Sequence, residues 1–366
     1  MGSSSISLTL RSSSSSLLPC LFLNMTVLLV HARYLSPNQS RVPALLAFGD
    51  SILDPGNNNV LHTLTKSNFP PYGRDFEGQR PTGRFSNGKI VPDFIASFFQ
   101  VKQFLPAYLD PQLKPEDLLT GVSFASAGSG YDDLTAKTLS VLSFSNQLDL
   151  FREYIKKLKQ VTGEEGAQSI ISDSLYIVSG GSNDMVITYF GTTLRRWDYD
   201  IPSYVHLLIQ SASSFVKELY ELGARKIGVM GLTPLGCLPF QRSLNGGIQR
   251  SCEDQANQAA RMFNSELIKE INTLTSELKG SRIGLMNVYD SVHAAIQNPS
   301  YYGFEESTKG CCGTGKIEIS YLCNDINPYT CSNASKYVFW DSVHPTERLV
   351  DIVLAQVFKN DFPSFV

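Results

Sequence analysis

Ala44-Leu45-Leu46-Ala47-Phe48-Gly49-Asp50-Ser51 sets five apolar residues in a row and then breaks to a glycine, an acid and a serine. A short apolar run without polar alternation, closed by glycine, reads as a strand buried on both faces. The same form recurs along the chain. Residues 175–179, 226–230, 283–289 and 337–340 are further strand candidates, and 121–125 is a weaker one. Long amphipathic stretches lie between them. Residues 203–222 form one helix and 253–278 another, the second carrying Met262, Phe263, Leu267, Ile271, Leu274 and Leu278 at helical spacing. Ser251 and Asp254 make a capping box at its start, and Pro345 sits in the first turn of a last helix over 345–358. Strand–helix alternation of this kind predicts an α/β domain with a mainly parallel sheet. Ligands of such sheets collect beyond the carboxyl ends of the strands. Polar residues directly after strands therefore carry the most information.

Four such segments stand out. Gly49-Asp50-Ser51 follows the first strand. Ser126-Ala127-Gly128-Ser129-Gly130 follows residues 121–125. Gly180-Gly181-Ser182-Asn183-Asp184 follows residues 175–179, and Asp341-Ser342-Val343-His344 follows residues 337–340. Together they supply a hydroxyl nucleophile, a flexible backbone donor, a side-chain amide donor and an acid–imidazole pair. Those are the parts of acyl transfer. No G-x-S-x-G occurs, so the nucleophile elbow of the α/β-hydrolase fold is not the architecture.

In order along the chain, Phe48-Gly49-Asp50-Ser51-Ile52, Phe69-Pro70-Pro71-Tyr72-Gly73, Pro81-Thr82-Gly83-Arg84-Phe85-Ser86-Asn87-Gly88, Gly128, Gly181-Ser182-Asn183-Asp184, Leu235-Gly236-Cys237-Leu238-Pro239 and Asp341-Ser342-Val343-His344-Pro345-Thr346-Glu347 resemble the plant GDSL esterase/lipases of the SGNH-hydrolase superfamily. The resemblance runs from about Pro43 to the C-terminus. It implies a flavodoxin-like α/β/α sandwich and a carboxylic ester hydrolase that needs no metal or cofactor. The loop with Cys311, Cys312 and Cys323 is similar to the extracellular-lipase subgroup. Two positions depart from the family pattern. Ile52 stands for the Leu that names the motif, which is a packing change. Asp54-Pro55-Gly56 stands for Asp-Thr-Gly, which bears on the shape of the turn after the serine.

On this reading Ser51 is the nucleophile, His344 the general base, and Asp341 the group that fixes the imidazole tautomer. The Ser51 and Gly128 N–H groups and the Asn183 amide form the oxyanion hole, where loss of one donor typically costs about 3 kcal/mol. Each residue has a plainer use. Ser51 could cap a helix, Gly128 could be a turn glycine with Gly130 in its place, and Asn183 could bond its own turn. The chain also contains a decoy, for Asp290-Ser291-Val292-His293 repeats the tetrapeptide 341–344. Trp340 before and Pro345-Thr346-Glu347 after select the later copy; the earlier one continues into Ala294-Ala295. Asp50 braces the loop, Asp184 is structural, and Asn57-Asn58-Asn59 is a loop packed by amide hydrogen bonds. Residues 310–316 approach a phosphate-binding loop, but Ile317 stands where a magnesium-holding hydroxyl is required.

Composition narrows the setting. Of 366 residues 18% are charged, with 21 Phe and 16 Tyr, which excludes a disordered chain. With 31 basic against 34 acidic residues there is no excess to neutralise phosphates, so nucleic acid is not an expected partner. No Asp or Glu precedes Asp50. A Ser-rich start, an apolar run over 17–30 and Val30-His31-Ala32 fit a cleaved signal peptide over residues 1–32, leaving 33–366 as a single domain. The run is too short and interrupted to span a membrane stably. A transit peptide competes, because the segment is Ser-rich and acid-free. Cleavage removes Cys20 and leaves Cys237, Cys252, Cys311, Cys312, Cys323 and Cys331. An even number suits disulfides in an exported chain. Proximity suggests Cys237 with Cys252 and the late four among themselves. No C-x-x-C occurs to support zinc instead. Asn38 and Asn333 head N-x-S sequons.

The sequence thus points to a secreted esterase or lipase acting on a small-molecule or lipid ester. An acyltransferase would use the same acyl-enzyme, and an idle lipid- or carbohydrate-binding scaffold would keep the fold without turnover.

Overall fold

The first strand, β1 (Leu45–Gly49), is fully buried and has neighbours on both sides. On one side it pairs in parallel with β2 (Leu175–Ser179), which pairs with β3 (Lys226–Met230), which pairs with β4 (Arg282–Met286). On the other side runs the segment expected as the weaker strand. Leu45 N donates to Thr120 O at 3.2 Å, Phe124 N to Ala47 O at 2.7 Å and Ser126 N to Gly49 O at 2.9 Å. Ser123 bridges Ala47 in parallel. The chain order across the sheet therefore reverses at β1. That is the flavodoxin-like order, and the reversal opens a crevice at the carboxyl end of β1. The computed structural model describes residues 1–2, 42–192 and 194–366. The expected cleavage site, Cys20 and Asn38 lie outside the described residues. Residues 42–366 form one compact unit.

Helices cover both faces, because successive strand residues point to opposite sides. Phe48 packs against Phe151 and Phe215 at 5.4 and 5.6 Å. These rings come from the helices Phe144–Asp173 and Ile201–Glu221, on the side that Asp254–Glu277 also joins. On the other face Gly228 of β3 and Gly284 of β4 lie against Phe365, and a Cβ at either would meet its ring. Val91–Phe98, Tyr289–Gln297 and Glu347–Asn360 pack together there. In chain order these six helices are α1 (Val91–Phe98), α2 (Phe144–Asp173, kinked at Gly163), α3 (Ile201–Glu221), α4 (Asp254–Glu277), α5 (Tyr289–Gln297) and α6 (Glu347–Asn360).

Several local expectations are corrected. Ser251 and Asp254 do not make the cap of α4. Glu253 does, its carboxylate accepting from Gln255 N and Ala256 N, because a two-residue shift of the cap from Ser251 puts its oxygens on the orphan N–H groups. β4 stops at Met286 rather than 289, since Tyr289 already begins α5. Thr346 caps α6, so Pro345 precedes the cap instead of sitting in the first turn. Met262 is exposed on α4, off its apolar stripe. The strand at the chain's end, Tyr337–Phe339, belongs to a separate two-stranded sheet with Glu306–Gly310 and not to the main sheet. A second small core explains this placement. Trp340 is buried there with Tyr72, Phe85 and the cysteines Cys311, Cys312 and Cys323. The pairs are Cys237–Cys252, Cys311–Cys331 and Cys312–Cys323, with S–S separations of 2.11, 2.01 and 2.06 Å. Among the described residues no helix is long and apolar enough to cross a membrane.

The end of β1 is locked from two directions. Gly49 has φ +143, and a Cβ on it would strike the Ser179 carbonyl. Gln147, buried on α2, accepts from Gly49 N at 2.8 Å and donates to Gly49 O at 2.9 Å. Gly49 O has Ser126 N as a second partner, whereas Gly49 N depends on this glutamine. An orphaned buried N–H costs roughly 1–3 kcal/mol. Gln147→Leu should lower the unfolding free energy by about that amount in urea titration, and an unchanged midpoint would contradict this view of β1.

Candidate active site

Ser51 emerges from the first turn after β1, where the chain leaves the sheet at the point of reversal. His344 comes from the other end of the chain. Residues 340–344 form a tight turn off the small sheet, closed by Trp340 N donating to His344 O at 2.8 Å. Cys311 N and Cys312 N donate to Phe339 O and Trp340 O at 3.0 and 2.7 Å, so the disulfide loop holds the turn's stem. Ser342 N donates to Glu318 O and Phe240 N to Ser342 O, which fixes its tip. The turn makes a spacing of three productive. Asp341 Oδ1 accepts from Val343 N at 2.8 Å and His344 N at 2.7 Å, which aims Oδ2 at the imidazole.

Asp341 Oδ2 lies 2.7 Å from His344 Nδ1, and His344 Nε2 lies 2.8 Å from Ser51 Oγ. A carboxylate can only accept, so Nδ1 carries the proton and Nε2 is left to receive one from the serine. All three side chains are buried, at 0% exposure for Asp341, 3% for His344 and 8% for Ser51. Phe85 packs on the imidazole with ring centroids 4.8 Å apart.

Gly128 and Asn183 line the same cleft as Ser51 and His344. Asn183 Nδ2 donates to Ser129 O at 2.9 Å, which ties the two segments together. Gly130 faces the other way, for a Cβ there would run into the Asp184 carboxylate in the core. Asp184 accepts from Tyr131 N, Asp132 N and the Thr135 hydroxyl, so it closes a turn and does not face the cleft. The 54–59 loop is packed as expected. Asp54 accepts from Gly56 N, Asn57 N and Ala127 N, Asn57 donates to Ser123 O and Ala125 O, and Asn58 donates to Ala127 O. These bonds attach the loop after Ser51 to the Gly128 segment, and Pro55 is accommodated within them. The duplicate tetrapeptide lies elsewhere. Asp290 to His293 occupy α5, where His293 stacks on Tyr289 and Asp290 is exposed. Asn333 is exposed, and its side chain accepts from Ser335 N and the Ser335 hydroxyl.

The sequence reading assigned no role to Tyr72. Its hydroxyl donates to Asp341 Oδ2 at 2.8 Å and accepts from Ser320 N at 2.9 Å. Burial, with the Asp341 charge beside it, pushes the phenol well above its ordinary value, so it remains a donor at working pH. Its one signal in the sequence is its place in the 69–73 run that resembles the family pattern. Arg84 lies in the 81–88 run of the same family pattern. It forms a buried bidentate pair with Asp93, both bonds 2.8 Å, and carries Phe85 to the imidazole.

Residues 45–356 match the family described as GDSL-like lipase/acylhydrolase. The chain belongs to that family. With membership comes the reaction class: it is a carboxylic ester hydrolase. It is 49% identical over 332 residues to the GDSL esterase/lipase At5g42170 of Arabidopsis thaliana, covering 91% of this chain and 89% of that protein. It is 52% identical to At3g14820 from the same plant, over 85% of this chain and 88% of that one. It is 46% identical to the GDSL esterase/lipase EXL3, over 96% and 95%. Among solved structures, a hydrolase from a lake metagenome aligns over 88% of this chain and 98% of its own at 12% identity. Its TM-score of 0.41 is too remote to add to the strand order read directly here.

Two outcomes follow from the electrostatics. Tyr72→Phe removes one of the two side-chain donors to Asp341 Oδ2, a charge-assisted bond of roughly 1.5–3 kcal/mol. Steady-state kinetics should show kcat falling about tenfold or more with KM little changed; an unaltered kcat would contradict a link to the site. Burial pushes Asp50, whose carboxylate accepts from Ile52 N, up to about 7 from 3.8. A raised folded value stabilises the fold fully below the unfolded value, and that share is lost as pH rises through the folded one. Unfolding free energy should therefore decline between about pH 4 and 7. Asp50→Asn should flatten that decline in part, since burial also raises Asp54 and Asp184 to about 6.

Proposed function

We propose that this chain is an exported serine esterase that works through an acyl-enzyme on Ser51. The observation that carries the reading is the unbroken chain from Asp341 Oδ2 through His344 to Ser51 Oγ, at the mouth of a cleft lined by Gly128 and Asn183. A neutral hydroxyl needs a base in contact, and His344 Nε2 is one. As Ser51 Oγ attacks the ester carbon, its proton passes to Nε2 and the carbonyl oxygen takes the negative charge. The Ser51 and Gly128 N–H groups and the Asn183 amide are the donors for that oxygen. Gly128 is preferred to Gly130 because only the former borders the cleft. The tetrahedral adduct collapses, His344 returns the proton to the departing alcohol, and the acyl group stays on Ser51. Water then attacks the acyl carbon while giving a proton to His344, and His344 returns that proton to Ser51 Oγ as the acyl–serine bond breaks and the acid leaves. Asp341 holds the imidazole tautomer and balances its transient charge.

Export is supported by the leader reading, by the pairing of all six cysteines beyond it, and by the exposed sequon at Asn333. Paired cysteines of this kind persist in oxidising compartments.

The test uses purified protein and a short p-nitrophenyl ester. Ser51→Ala and His344→Ala should each lose roughly a thousandfold or more in kcat. His293→Ala, on the duplicate motif, should stay within about twofold of wild type. Equal rates for Ser51→Ala and wild type would sink the nucleophile assignment, and a dead His293→Ala would move the base to α5.

A further inference from the structure

Gly310-Cys311-Cys312-Gly313-Thr314-Gly315-Lys316 has the glycine spacing of a phosphate-binding loop, yet it holds an anion of its own. The carboxylate of Glu318 lies in it. Glu318 Oε1 accepts from Thr314 N at 2.9 Å, and Oε2 accepts from Lys316 N at 3.0 Å and Ile317 N at 3.2 Å. Backbone N–H groups that converge in this way form an anion-binding nest. Gly313, at φ +64, is part of the fit, because a Cβ there would meet the Glu318 side chain. Glu318 is buried at 8% exposure. Burial pushes its carboxyl up, but the bonds from Thr314 and Ile317 outweigh this and hold it below its ordinary value, so it is ionised in the nest. The nest stands against the turn that carries Asp341 and His344. A Cβ on Gly310 would strike the Asp341 carbonyl, so the loop lies flush on that residue's backbone. From the nest the chain runs on to two further contacts. Glu318 O accepts from Ser342 N at 2.9 Å, at the tip of the turn. Two residues later Ser320 N donates to the Tyr72 hydroxyl at 2.9 Å, and that hydroxyl donates to Asp341 Oδ2 at 2.8 Å. The Ser320 hydroxyl anchors the far end of this stretch by donating to Leu64 O at 2.8 Å. Glu318 anchors the near end.

Resting on the acyl-enzyme reading above, we propose that Glu318 is a positioning residue for the acid–base turn. By filling the nest it sets its own carbonyl on Ser342 N and brings Ser320 N to Tyr72, and both contacts hold Asp341 against the imidazole. Glu318 touches neither Ser51 nor His344, so its influence travels through the backbone and through Tyr72. Distance from the chemistry does not make that influence small. A misplacement of about 1 Å caused by a remote change can cost about a hundredfold in rate. A loop that served stability alone would behave otherwise. Its loss would change the folded fraction and leave the kcat of the folded molecules intact.

The experiment measures p-nitrophenyl butyrate hydrolysis, with rates normalised to folded protein by urea titration. Glu318→Gln keeps the size but removes the charge and sets an NH2 group among N–H donors. Its kcat should fall at least about tenfold while KM stays within about twofold. Glu318→Ala leaves the nest without its carboxylate and keeps the proposal testable if the first variant fails to fold. Sodium formate should raise the kcat of Glu318→Ala about threefold or more over sodium chloride at equal ionic strength, because formate supplies the missing anion to the same N–H groups. Glu318→Gln combined with Tyr72→Phe should cost less than the product of the two single losses, since both act through Asp341. A folded variant of either kind with kcat within about twofold of wild type would overturn the proposal. So would single losses that multiply in full in the double variant. Ser51→Ala run in parallel separates the two claims. Full activity there would defeat the acyl-enzyme reading, whereas a dead Ser51→Ala beside an unimpaired Glu318→Gln defeats the positioning role alone.

Discussion

The contact between Ser51 Oγ and His344 Nε2, 2.8 Å across 293 residues of chain, is the constraint around which the rest of the structure is arranged. One end is set by the main sheet. β1 lies where the strand order reverses, Gly49 allows the chain to pass the Ser179 carbonyl, and Gln147 grips its backbone. The other end owes little to that sheet. The turn that carries Asp341 and His344 hangs from a three-residue strand and a small core of Tyr72, Phe85, Trp340 and half-cystines. Holding His344 within hydrogen-bond reach of Ser51 from so short a strand requires cross-links. The bonds that Cys311 N and Cys312 N donate to the stem, that Phe240 N donates to the tip, and that Ser342 N at the tip donates to Glu318 O supply them. Two of the disulfides, Cys311–Cys331 and Cys312–Cys323, close the loop whose backbone makes these bonds to the stem.

Much of this was legible in the sequence because the relevant signals are local. A buried parallel strand reads as an unbroken apolar run, and residues 175–179 and 226–230 were delimited to the residue. Asp341 and His344 lie three residues apart, so one turn accounts for both. The duplicate at 290–293 shows where local reading weakens. The same four residues flank Ser51 in one place and start α5 in the other, and the flanking Trp340 and Pro345-Thr346-Glu347, which fit the family pattern, tell them apart. The helix caps failed for a related reason. Glu253 caps α4 with its own longer side chain, which a pattern based on short hydroxyl residues passes over.

What the sequence did not reveal depends on contacts between distant segments. Tyr72 meets Asp341 over 269 residues, and nothing in a tyrosine after two prolines announces a carboxylate partner. A short apolar run looks the same in either sheet, so residues 337–339 read as a strand without showing that they pair outside the main one. The cavity beside Ser51 beneath α5 and α6 is lined by valines and leucines that any amphipathic helix would carry, and only their joint placement makes them neighbours of the serine.

The central claim is that Ser51 is activated by His344. Labelling with a p-nitrophenyl alkylphosphonate, followed by peptide mass mapping, tests it most directly, because the reagent is attacked as an ester is but leaves a stable adduct. The account predicts one phosphonyl group on Ser51, its formation slowed by orders of magnitude in His344→Ala and unaffected in His293→Ala. An adduct on another residue, or labelling of Ser51 at the wild-type rate without His344, would contradict it.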